Sequence, residues 1–143
     1  MTATFDFGSP LGLNPLIPPL EEGGRKLNVF DKTYVSKKIC VFFGSFATHS
    51  GGAMIVTETD GEGHHLQITQ GASITFKAYN GTTIRSIMWS DDSTMGDLSY
   101  SSTEPKGSLV GHKWTATSND VQYVVFHVSS SPSGWKEVTV EYA

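Results

Sequence analysis

Cysteine is nearly absent from this chain. The one thiol among 143 residues, Cys40, excludes an intrachain disulfide and leaves the redox compartment open. It sits inside the apolar run "KKICVFF". A small buried core residue is the plainer reading there, because a reactive thiol needs a base and an orienting partner. Basic clusters are short as well: the longest is "SKK", and the net charge is -4. A groove that tracks phosphates needs a basic excess, so no nucleic-acid partner is expected. No apolar run is long enough to span a bilayer, so no membrane insertion is expected either. The opening "MTATFDFGSP" lacks the basic start and apolar stretch of a signal peptide. Either export by that route does not apply, or a leader has been removed.

Long stretches of Ala, Leu, Glu and Lys are missing too, and no segment has the signature of a helix. Charged residues at 17% and hydrophobic residues at 38% exclude a disordered chain. They leave one globular domain, residues 1–143, long enough to bury a core. Fifteen glycines with abundant Ser and Thr favour a turn-rich β protein. The end, "GWKEVTVEYA", shows the pattern most clearly. Val138, Val140 and Tyr142 share one parity while Glu137, Thr139 and Glu141 share the other, the period of a half-buried strand. That pattern pins the C-terminus into a sheet and predicts a domain complete at Ala143.

Residues 1–26 have no period. They hold four of the six prolines (Pro10, Pro15, Pro18 and Pro19) and four glycines, which excludes both helix and central strand. Leu11, Leu13, Leu16, Ile17 and Leu20 make the segment too apolar for a flexible linker. It reads as an extended arm laid on the domain, with "TFDF" as a short first strand. The alternative is a segment that docks on a neighbouring subunit.

Strands then follow at the spacing of a sandwich. "NVFDKTYVS" is weak, "KKICVFFGSF" strong, and "AMIVTET", "HHLQIT", "ASITFKAY" and "TTIRSIMWS" come after turns or loops. The last two meet across Asn80-Gly81, the pair that suits a type I′ hairpin. The polar stretch 90–113 offers one short strand in "GDLSYSS", and the chain closes with "KWTATS", "VQYVVFHVS" and "WKEVTVEY". "IRSIMW" and "WKEVTV" share an apolar, basic, polar, apolar order, which one face of a strand accommodates through a β-bulge at its start. "VQYVVFHV" is apolar at both parities and predicts a central strand covered on both faces. The fold expected is all-β: a single antiparallel, jelly-roll-like β-sandwich with an extended Pro-rich N-terminal arm.

Three segments, "TFDFGSPLGLNP", "ITFKAYNGTTIRSIMWS" and "HKWTATSNDVQYVVFHVSSSPSGWKEVTVEY", carry a resemblance. Together they resemble a family of β-sandwich domains common in secreted and surface proteins of gut Bacteroidetes. In that family the last motif ends near "VTY", whereas here it reads "VEY". The resemblance covers most of the chain. It implies an adhesive or carbohydrate-binding module that occurs as a repeat or appendage, placed outside the cell or on its surface, with no catalytic residue set and no cofactor.

The chemistry in the residues themselves is sparse. His64 and His65 are adjacent, so a strand would point them to opposite faces, and His49, His112 and His127 lie elsewhere without ligand spacing. No metal is expected at them. Asp60 and Glu62, or Asp91, Asp92 and Asp97, lie in oxygen-rich turns without the spacing of a calcium loop. Gly-Asp turns occur for backbone reasons alone. No serine sits in a nucleophile elbow, and "EEGGRK" is not a phosphate loop. A glycosidase needs two facing carboxyl groups, which no pattern here establishes. The expectation is a protein that is not an enzyme.

Aromatic rings remain. Trp89 follows Ile87 at strand period, and both Trp89 and Trp114 read as core. Trp135 follows the turn "SPSG", where a ring could lie at the end of the sandwich. Tyr79 faces out beside the Asn-Gly turn, and Tyr100 lies in the polar stretch. The expected ligand-binding residues are therefore Tyr79, Tyr100 and Trp135, with Asn80, Asp91 and Asp92 as polar partners. The ligand would be a glycan or another surface group, bound weakly per site and strengthened by multivalency. The alternative is a structural or decoration subunit of a surface appendage or a phage virion, which would assemble with copies or partners through residues 8–22.

Overall fold

The computed structural model describes residues 1–7, 26–28, 33–45, 53–57, 64–90, 98–100, 106–128 and 133–143. At 26–28, 45, 53–57, 64–65, 98–100 and 133–134 it describes the backbone alone. Most of the Pro-rich segment, residues 8–25, therefore lies outside the described residues.

The described chain contains strands and no helix. In order these are β1 (Thr2–Asp6), β2 (Lys26–Asn28), β3 (Thr33–Ser36), β4 (Ile39–Ser45), β5 (Ala53–Thr57), β6 (His64–Ile68) and β7 (Ala72–Ala78). Then come β8 (Ile84–Trp89), β9 (Leu98–Tyr100), β10 (Gly107–Val110), β11 (Lys113–Ala116), β12 (Tyr123–Val128), β13 (Ser133–Trp135) and β14 (Glu137–Tyr142). All pairings are antiparallel. One five-stranded sheet has the order β1-β14-β8-β11-β10 and a second has β3-β4-β7-β12-β9. A four-stranded sheet, β13-β6-β5-β2, completes the set.

The four-stranded sheet repeats the strand order of the second five-stranded one. Its strands β2, β5, β6 and β13 are chain neighbours of β3, β4, β7 and β12, and they keep the same lateral order. After Lys136 the chain leaves β13 and enters the first sheet as β14.

Alternation in the sequence sets which side of each strand is buried. In β7, Ala72, Ile74, Phe76 and Ala78 are buried, and in β14 Val138, Val140 and Tyr142 are, as the period of two requires. The two five-stranded sheets face each other across this core, an arrangement consistent with a β-sandwich. Trp89 of β8 meets Phe126 of β12 with centroids 5.1 Å apart, edge to face. It also meets Phe76 of β7 at 6.2 Å. Trp135 of β13 stacks on Phe76 and meets Trp89 edge-on at 5.1 Å, so one aromatic cluster joins all three sheets. Such pairs contribute about 1 kcal/mol each beyond the area they bury.

Two backbone expectations need correction. The Asn-Gly turn forms: Asn80 and Gly81 both have positive φ, 54° and 75°, and the Thr82 N–H donates to the Tyr79 carbonyl. Yet β7 and β8 do not pair, and no hairpin grows from the turn. Thr83 instead exchanges two backbone bonds with Ala143, and the Ile84 N–H donates to Val121. The chain passes from one sheet to the other because β4 and β12 already hold both edges of β7. The expected bulges also divide. In β8 the register with β14 slips between Ser86 and Ile84, leaving Arg85 as the extra residue. In "WKEVTV" the chain instead changes sheets at Lys136.

β12 is covered less evenly than its sequence predicts. Val124, Phe126 and Val128 are buried, Val125 and His127 are half-buried, and Tyr123 is exposed. Meanwhile β3 and β4 are joined by a two-residue turn with no glycine in it. Lys37 there takes φ 54°. A lysine in this left-handed region is strained by about 1 kcal/mol. Lys37→Gly is therefore expected to raise stability by about 0.5 kcal/mol, after glycine's own entropic cost. Thermal melts of the two proteins check this, and a lower melting temperature for the variant would refute the strain.

Candidate functional site

The sheet β3-β4-β7-β12-β9 has an inner face in the core and an outer face, and the outer face near the Asn-Gly turn collects the most useful side chains. On β7 the outward positions are Ser73, Thr75 and Lys77, and Tyr79 continues their parity just past the strand. Lys77 is opposite Cys40 of β4 on one side and Tyr123 of β12 on the other. The Tyr79 N–H donates to the Lys38 carbonyl at 2.9 Å, which places the Lys37-Lys38 turn beside Asn80 and Tyr79. A band of Lys38, Tyr79, Lys77 and Tyr123 results, held on two adjacent central strands and one turn.

Cys40 forms the floor of this band. It is a free thiol, 3% exposed, as its place in an apolar run predicts. The Tyr79 hydroxyl is hydrogen-bonded to that thiol. This bond, then desolvation and the charge interaction with the same group, holds the phenol above its usual range. Tyr123 is different: it is 62% exposed at the first position of β12, paired with β7 alone. Farther along β12, partial burial pushes the His127 imidazole below its ordinary value.

Of the sequence-predicted site residues whose side chains are described, Tyr79 and Asn80 lie together and Trp135 does not join them. Tyr79 and Asn80 lie together at the turn, half-buried and exposed respectively. Tyr100 lies on β9, opposite Phe126, and only its backbone is described. Asp91 and Asp92 lie outside the described residues, as do Asp97, Asp60, Glu62 and His49. Trp135 is the clear correction. It is fully buried, stacked on Phe76 and set against Trp89, so no ligand reaches its ring. Ser133 and Gly134 of the expected turn belong to β13 itself, and Trp135 ends that strand just before the chain changes sheets at Lys136. Trp89 and Trp114 are buried as expected.

Tyr123 was not among the expected ligands, since it begins a run that reads as core on both parities. Its signal was weak but present: "NDVQYVVF" has polar Gln122 just before it. Among the described residues no three His, Cys, Asp or Glu side chains gather to hold a metal ion, and no helix is long and apolar enough to cross a membrane. Comparison with sequence-family profiles, curated proteins and solved structures returns no match.

Proposed function

We propose that this chain is a non-catalytic binding module that recognises a glycan at a cell surface, through the outer face around Tyr79 and Tyr123. The observation that carries the reading is Tyr123: a tyrosine mostly open to solvent at the start of β12, with Lys77 of β7 directly opposite. A ring there offers a flat apolar surface at low entropic cost and keeps a polar tip for water or ligand. Tyr79, half-buried beside the same strands, supplies a second aromatic on this face. Asn80 adds an exposed amide at the same end.

The resemblance to surface β-sandwich domains of gut Bacteroidetes favours the same reading, as does an all-β architecture built of facing sheets. On this reading the fold is a jelly-roll-type sandwich, residues 1–26 are its arm, and the protein works outside the cell. A glycan-array screen of the purified protein, with Tyr123→Ala and Tyr79→Ala beside it, tests this. Specific binding that Tyr123→Ala loses by about fivefold or more is the expected result. A blank array from well-folded protein would sink it and turn attention to assembly through residues 8–22.

A further inference from the structure

The outer face carries a charge pattern that runs against the chain as a whole. The protein has a net charge of -4, yet Lys38 lies beside Tyr79 through its backbone carbonyl, Lys37 precedes it in the same turn, and Lys77 is two residues from Tyr79 along the chain. All three are exposed, and among the described residues none of them pairs with a carboxylate. The described ion pair, Lys106 with Asp120, is elsewhere, between the start of β10 and the turn before β12.

Ordinary reasons for surface lysines do not cover Lys77 and Lys37. Lysine on an edge strand blocks unwanted pairing, but Lys77 lies on β7, between β4 and β12. Lys37 occupies a left-handed position where glycine or asparagine would sit without strain. A charged residue kept in such a conformation points to a use for its side chain, since strain of this kind gathers at functional sites. Lys77 also has Tyr123 opposite and Tyr79 two residues on, so a cation stands between two aromatic rings on one face.

We propose that the ligand of this face is an acidic polysaccharide, one bearing carboxylate or sulfate groups on its sugars. This rests on the glycan-binding reading above and narrows its ligand. Tyr123 and Tyr79 receive the apolar faces of sugar rings, and Lys77 lies between them to meet a carboxylate or sulfate. Lys37 and Lys38 meet a second acidic group one or two sugars along the chain. Charge complementarity selects the acidic class, because an uncharged sugar leaves three lysines without partners. The lysines also set salt dependence: each exposed pair is screened within about a Debye length, roughly 8 Å at physiological ionic strength.

The test is affinity electrophoresis of the whole chain in gels containing polygalacturonate, chondroitin sulfate or neutral dextran, run at low and at moderate salt. Lys77→Gln, the double change Lys37→Gln with Lys38→Gln, and Tyr123→Ala are compared with the native protein. All are surface changes, and circular dichroism melts verify folding. Anionic lipid vesicles serve as a second polyanion. The expected result is retardation by an acidic polysaccharide that weakens with salt. Lys77→Gln should weaken it about threefold and Tyr123→Ala about fivefold. Retardation by neutral glycans alone, unchanged by Lys77→Gln, would overturn the acidic class while leaving a glycan site in place. Binding to vesicles alone, or to none of these and to no glycan on an array, would overturn both readings.

Discussion

Gly107→Ala should cost this protein about 3 kcal/mol of stability, seen as a fall of roughly 10 °C in melting temperature. Gly107 opens β10 and faces Ala116 on β11, at the edge of its sheet. The indole of Trp114, diagonally placed on β11, lies across it. A methyl group at this position would collide with Cζ2 and Cε2 of that ring and come within 2.7 Å of the Thr115 carbonyl oxygen. Neither neighbour can give way. The ring is buried in the core, and the carbonyl belongs to a strand held on its other side by β8. The added methyl therefore has to push β10 off the sheet. Gly111, in the turn of the same hairpin, supplies the control. Its φ is 59° and nothing lies within 4 Å of an added Cβ, so Gly111→Ala costs only the conformational strain, about 1 kcal/mol. Equal losses in the two variants would show that the contact with Trp114 does not matter. Hydrogen exchange offers a second readout, with protection lost first in β10 and the outer edge of β11.

The sequence made the local periods legible and left the long-range pairings hidden. Alternation in "VTVEY" and "ITFKA" placed inward and outward residues correctly, because burial of one sheet face forces a period of two whichever strand lies alongside. The order "IRSIMW" contained its bulge for the same reason: two inward residues too close for the period require one extra. Asn80-Gly81 shows the limit. The dipeptide reports backbone torsions, and the turn has them, but a turn does not choose the partner of the strand that follows. β10 is not legible, because Gly107, Ser108 and Gly111 read as loop, while the cover that makes this a strand is Trp114 from its neighbour. Lys37 gave no turn signal at all. Tyr123 and Trp135 exchanged roles, one expected inside and found out, the other expected out and found in. Each lies where the chain enters or leaves a strand, and parity there depends on which sheet the strand joins.

That exchange has a measurable consequence at Trp135. Trp135→Ala is expected to destabilise the protein by about 4 kcal/mol, a large share of the roughly 5–15 kcal/mol that holds a domain of this kind together. The indole packs on Phe76 at 6.2 Å with an interplanar angle of 25° and on Trp89 at 5.1 Å, so its removal opens a cavity where the sheets meet. Trp135→Phe should cost far less, about 1–2 kcal/mol. It keeps an aromatic ring on Phe76 and also deletes an indole N–H that finds no acceptor among the described residues. A buried donor left unpaired carries a cost of about 1–3 kcal/mol, and losing that donor offsets part of the lost packing. Tyr123→Ala, on the open face, should fall within about 0.5 kcal/mol of the native protein. Denaturant titrations of the three variants check this order, and a native-like midpoint for Trp135→Ala would place the ring outside the core. The order also governs how binding data are read. Lost binding in Trp135→Ala would follow from lost structure, whereas lost binding in Tyr123→Ala with the fold intact would locate a ligand on the outer face.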